Sequence, residues 1–229
     1  MLVRLILVII MSLGVSLVAQ TVQPVIVEYK GKADGKIEVT NNTLSPMVVV
    51  LEPRSFSITP QGKGIFRPLD AGIHVELSTM SVRLQPEQNY FIFYKATADK
   101  LPAWFTVYAT FSSPKHSDGL DVRIMLPHTV YLYQKQPILE AEVDVKDISY
   151  SLATHKLTCD IDNNGANLAR VQSVQATGNH SSGDLAGFPL LPGGIRHIEM
   201  DWKDGNPPTG IEFRFEHFNL KRTVSASSN

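Results

Sequence analysis

The stretch "LDVRIMLPHTVYL", residues 120–132, decides how the chain folds. Leu120, Val122, Ile124, Leu126, Val130 and Leu132 fall on even positions, with Asp121, Arg123, Thr129 and Tyr131 between them. A period of two puts the even set on one face of a long β-strand, well beyond the usual length of about five or six residues. Pro127 lies near its middle and has no N–H for a ladder, which places the strand at a sheet edge. Alternating apolar residues also line ordinary sandwich cores. Here length, the proline and a polar segment just downstream argue for an edge that meets something else.

Working outward, the same period recurs. "KIEVTNN" (36–42), "MVVVLEP" (47–53), "NYFIFYKA" (89–96) and "AWFTVYATF" (103–111) are β-rich runs bounded by Pro, Gly, Asn or Ser. In the last, Phe105, Val107, Ala109 and Phe111 alternate with Trp104, Thr106, Tyr108 and Thr110. Beyond residue 140, "AEVDV", "KLTCDI", "IRHIEMDW" and "IEFRFEHF" behave alike, with Ile198, Met200 and Trp202 in one phase. No run of ten or more residues has a clean helical period, and 14 Pro and 15 Gly are spread throughout. The expected class is all-β, built as two Ig-like β-sandwich domains in tandem.

A weak internal repeat supports the division. "GKIEVTNN" (35–42) and "HKLTCDIDNN" (155–164) each run a strand into an Asn-rich turn. Later in each half an apolar run meets a proline, in "VRLQP" (82–86) and "FPLLPGG" (188–194). The polar "QKQPILEAE" (134–142) between the halves is the linker candidate. The expected boundaries are 20–135 for the first sandwich, 136–222 for the second and 223–229 for a solvated tail.

Residues 1–19 stand apart. Arg4 precedes an apolar run from Leu5 to Val18, and Ala19 offers a small residue before a cut that exposes Gln20. This reads as a secretory signal peptide, too short for a bilayer-spanning anchor. No Cys follows the apolar run for a lipoprotein anchor, and no second long apolar segment appears, so the expected product is periplasmic or secreted, with no membrane span after cleavage. With 229 residues, 43% of them hydrophobic, and a formal net charge of −1, the chain can bury real cores and has no electrostatic footprint for nucleic acid. Cys159, the single cysteine, lies in phase with Leu157 and Ile161 and reads as a buried strand thiol.

Catalytic and metal sites find little support. "DIDNNG" (160–165) opens like a calcium loop, but the twelfth position is Val171 where a bidentate Glu is needed, so it reads as an Asx-rich hairpin turn. "GNHSSGD" (178–184) gathers His, Ser and Asp without a G-x-S-x-G elbow and reads as a polar loop. The seven histidines show no metal-ligand spacing. The sequons "NNT" (41–43) and "NHS" (179–181) matter only in a glycosylating host. No enzyme activity, cofactor or metal is expected.

Two Ig-like halves behind a signal peptide, with a long alternating strand closing the first, resemble the PapD-like periplasmic pilus-assembly chaperones. "IEVTNNTLSPMVVVLEP" (37–53) is similar to that family's early strands, and "VELSTMSVRLQPEQNYFIFYKA" (75–96) to its strand, L-x-P turn and strand. "AWFTVYATF" resembles the strand before the long one, and "GFPLLPGGIRHIEMDW" (187–202) a late turn and strand of the C-terminal sandwich. The resemblance implies that the long strand lends its apolar side chains to a fimbrial or pilus subunit by β-augmentation. By position the donated residues are Leu120, Val122, Ile124 and Leu126. The family also holds the subunit's terminal carboxylate with two basic residues in the cleft, and those positions are Ile26 and Tyr131 here. Neither is basic, which removes the charge-assisted part of that anchor. Lys30 and Lys135 are close in sequence but occupy no family position. The alternative is a structural or adhesive Ig-like module without chaperone activity; an exported hydrolase using His180 and Ser181 is a third class.

Overall fold

The computed structural model describes residues 20–113, 123–179 and 181–224. Of the long strand's candidate residues, Leu120 and Val122 fall outside these segments, as do the expected signal segment and His180. The described chain is all-β apart from one 3-10 turn, Glu140–Glu142. No helix among the described residues is long and apolar enough to cross a membrane.

Ten strands make the first sandwich: β1 (Thr21–Gln23), β2 (Ile26–Lys30), β3 (Ala33–Asn41), β4 (Met47–Ile58), β5 (Gly64–Pro68), β6 (Ile73–Leu77), β7 (Ser81–Leu84), β8 (Gln88–Ala98), β9 (Ala103–Ser112) and β10 (Arg123–Tyr133). One sheet has the order β1-β3-β8-β6; the other runs β2-β10-β9-β4-β5, with β7 also paired to β4. The chain changes sheets at its first strand, since β1 pairs antiparallel with β3 while β2 pairs parallel with β10. The expected alternation holds in β9, where Phe105, Val107, Ala109 and Phe111 are all buried. They meet Ile37, Val39 and Ile92 from the other sheet, with Val130 and Leu132 of β10 in the same core.

The second sandwich holds β11 (Val143–Ser151), β12 (Lys156–Asn163), β13 (Ala169–Thr177), β14 (Ser182–Leu190), β15 (Ile195–Asp201), β16 (Gly210–Arg214) and β17 (Asn219–Thr223). Its sheets are β11-β12-β15 and β14-β13-β16-β17. Leu157, Cys159, Ile161, Ile198, Met200 and Trp202 fill a core separate from the first. Burial pushes the Cys159 thiol up to about 12, in keeping with the inert thiol expected. Thr223 still pairs with Gly210, and the Val224 N–H donates to the Thr209 carbonyl, so ordered pairing runs two residues into the stretch expected as tail. "ARVQSVQAT", β13, is a strand that pattern reading passed over because polar Gln and Ser sit among its apolar positions.

The internal repeat has a physical basis. The Asn41 carboxamide donates to the carbonyls of Ser45 (2.8 Å) and Gln85 (2.9 Å) and accepts from the Thr43 N–H. Asn163 does the same in the second half: it donates to Asn167 O (2.8 Å) and Leu190 O (3.0 Å) and accepts from the Gly165 N–H. Each asparagine thus ties the turn after its strand to the later apolar run that ends in proline. Asn41 is wholly buried in this role, so the folded state does not present it for modification.

Candidate functional site

The long strand is an edge for part of its length. β10 pairs with β9 from Arg123 to Leu132, but with β2 only from Thr129 to Tyr133. Between Ile124 and His128 no described residue pairs with its other side. Backbone direction alternates along a strand. The Thr129 N–H donates to Val25 O at 2.7 Å, and Tyr133 O accepts from the Gly31 N–H at 3.1 Å, so odd-numbered groups face the β2 side. Pro127 is odd. Its missing N–H therefore costs the β9 ladder nothing, and the open side there presents a carbonyl only, while Met125 presents both N–H and C=O.

Ile124 and Leu126 are half-buried and lean on the rim of the first core, while Met125, on the opposite face, is 51% exposed. The described part of the apolar set thus lies on one face, continuous with buried Val130 and Leu132. His128 belongs to that even phase as well, and it is fully buried. Its position in the pattern was the signal that could have found it.

Of the two anchor positions, Tyr131 lies where the sandwiches meet. Ile26 opposes Thr129 and is half exposed, whereas Tyr131 opposes Glu28 and is buried. Tyr131 packs with Phe56 of β4 and with Leu168 and Leu191 from the second sandwich. The cation at this point comes from elsewhere: the Arg170 guanidinium on β13 lies 5.8 Å from the Tyr131 ring centroid and is ion-paired to Glu28. The Tyr133 hydroxyl donates to the same carboxylate at 2.7 Å. Burial would raise the Glu28 carboxyl, but Tyr133 and Arg170 outweigh it and hold the group below the usual range. A polar cavity of about 380 Å³ flanks this contact, lined by Glu28, Tyr133, Lys135, Arg170, Gln172 and His217 among others. Lys30 lies exposed at the end of β2.

A second contact joins the sandwiches. The tip of the β4–β5 hairpin reaches β15, where the His197 N–H donates to Pro60 O at 2.7 Å. Gly62, at φ +79°, sits against Arg196 so closely that an added Cβ would lie 1.3 Å from its Nη1. Neither contact was legible in the sequence, because Glu28, Arg170 and Gly62 belong to no local pattern.

The other sites resolve simply. The "DIDNNG" turn uses its asparagine as the clamp described above, and Asp162 pairs with Lys146 at 2.7 Å. In the "GNHSSGD" loop the Ser181 hydroxyl donates to Asp204 at 2.5 Å. No cluster of three or more metal-ligating side chains occurs among the described residues.

No protein-family profile and no curated protein matches the sequence. Solved structures do match. The chain resembles the class 5 fimbriae chaperone CfaA with a TM-score of 0.55 at 15% identity, covering 90% of this chain and 99% of that one. It resembles the YadV chaperone with a TM-score of 0.59 at 10% identity, over 89% and 99% of the two chains. A chain of the Salmonella enterica SafA pilin–SafB chaperone complex gives a TM-score of 0.55 at 13% identity, over 91% and 97%. Two sandwiches, a first strand that switches sheets and a long last strand in the first unit: the fold is that of the PapD-like fimbrial chaperones.

Proposed function

We propose that this chain is an exported, non-catalytic chaperone-type protein that captures a fimbrial-type subunit by strand addition at the open edge of β10. The observation that carries the reading is the unpaired side of β10 between Ile124 and His128, with Ile124 and Leu126 half exposed on one face. An incoming strand would gain backbone bonds at Met125 and a carbonyl at Pro127, and would lay its own side chains beside Ile124 and Leu126. Leu120 and Val122 would extend the same face. Support comes from the fold shared with chaperones, one of them solved together with its pilin. In this reading residues 1–19 are a signal peptide, the product is periplasmic or secreted, and its two working units are 20–135 and a second that runs from 136 to at least Val224.

The capture differs from an arrangement with basic residues at the strand positions. Ile26 and Tyr131 bring no charge, and the nearby Arg170 is already paired with Glu28. That observation favours a second reading, a structural or adhesive Ig-like module without chaperone activity, for which loop substitutions rather than Ile124→Asp would cost binding.

The experiment is co-purification of the tagged mature chain from its native envelope fraction beside Ile124→Asp, with folding checked by circular dichroism. The reading predicts that the wild type brings down a β-rich subunit and that Ile124→Asp does not. Recovery of the same partners by both proteins would contradict it.

A further inference from the structure

The fully buried His128 plays no part in strand addition as proposed, yet it is the last residue before β2 begins to pair with β10. Its Nδ1 lies 2.6 Å from the Pro24 carbonyl, a contact that requires the N–H there. Nε2 then accepts from the Tyr94 hydroxyl at 3.0 Å, and that hydroxyl lies 3.1 Å from the Tyr29 hydroxyl. The space beside these phenols is closed: a Cβ on Gly35 would lie 2.2 Å from Tyr29 Oη and 2.9 Å from Tyr94 Oη. The ring is thus walled by β8, β2 and β3, by Val107 of β9 opposite it, and by the crossover at Pro24 between β1 and β2.

Two adjacent carbonyls pin that crossover to β10. Pro24 O receives the His128 ring N–H, and Val25 O receives the Thr129 N–H at 2.7 Å. The crossover is also the weakest wall. β1 has three residues, and Val25 and Ile26 are 52% and 50% exposed, whereas the β8 and β9 walls are core.

We propose that His128 is a pH-sensitive pin: neutral, it holds the β1–β2 crossover against β10, and on protonation the crossover lifts and lengthens the open edge of β10 past His128 toward Thr129. A second ring N–H at Nε2 would donate to the Tyr94 oxygen, whose own hydrogen turns to Tyr29, and would leave a fully buried charge with no carboxylate facing it. The titratable groups facing the ring are two phenols, Tyr94 on β8 and Tyr29 on β2; β3 contributes Gly35, β9 Val107 and the crossover a carbonyl. Burial lowers the imidazole from its ordinary 6.5, and the Pro24 carbonyl only partly opposes it. The closed state therefore keeps its full stability above about 6.5 and loses it as pH falls toward the closed-state value, because the open state takes up the proton first. Opening at the thinnest wall admits water to the charge at least cost.

The functional consequence rests on the strand-addition reading, but the test uses the free protein and is independent of any partner. Hydrogen exchange, corrected for the intrinsic rate, is measured at pH 7.5 and 5.0 on the wild type and on His128→Gln. The expected result is a several-fold loss of protection at acid pH in residues 21–28 and at Thr129, with β9 and the second sandwich unchanged. In His128→Gln that pH dependence disappears. Should the variant not fold, an NMR titration of the wild-type imidazole decides: the His128 midpoint must lie below those of exposed histidines and coincide with the loss of protection. Equal protection at both pH values, a loss spread over the whole first sandwich, or a pH dependence that survives in His128→Gln would overturn the proposal.

Discussion

Asn41 and Asn163 show how single side chains organise this fold. Each carboxamide donates to two backbone carbonyls, one in its own turn and one far along the chain. Replacing either by Ala removes two donated bonds and one accepted from a backbone N–H, at a cost of about 0.5–1.5 kcal/mol each. Asn41→Ala should therefore lower the urea midpoint clearly, and an unchanged midpoint would show that water replaces the amide. The repeated Asn turns and the two apolar runs ending in proline were visible in the sequence; their connection was not, because it spans 44 residues in one half and 27 in the other. Cys159 was legible in full from its phase alone. With burial pushing its thiol to about 12, alkylation at pH 8 should track global unfolding; fast labelling of the native protein would contradict that burial.

At the scale of elements, β10 answers the question its sequence raises. Its length reflects two roles: Thr129–Leu132 sits between β2 and β9, while Ile124–His128 has only β9. The period of two gave away the strand and its faces, and the proline gave away the edge. What pattern reading missed is that the same phase carries a buried histidine, since polar residues were discounted from the apolar set. Because the Pro127 nitrogen faces the open side, Pro127→Ala should leave the β9 ladder intact. The expected loss is at most about 1 kcal/mol, from the freer unfolded chain. A much larger loss on chemical denaturation would mean that the nitrogen faces β9 instead.

For the whole molecule, three contacts join the sandwiches: the Glu28–Arg170–Tyr133 cluster, the packing of Phe56 and Tyr131 on Leu168 and Leu191, and the β4–β5 hairpin tip. Two sandwiches could be counted from strand runs and a linker, but their mutual docking could not, since its residues are far apart in sequence. The Glu28 carboxyl is held below its ordinary 4.5, so its contribution is present above that value and lost as pH falls through the lowered one. Arg170→Ala should weaken this acid dependence, leaving the part due to Tyr133, and speed proteolysis within 134–139; unchanged cleavage would assign the docking to the apolar contact of Tyr131 with Leu168 and Leu191. The central claim is that the outer side of β10 takes a partner strand. The most direct measurement is amide exchange at Met125 before and after the wild type has captured its co-purifying subunit. Strand addition predicts that the Met125 N–H becomes protected while the 178–184 loop is unaffected. Protection in that loop with Met125 unchanged would contradict it.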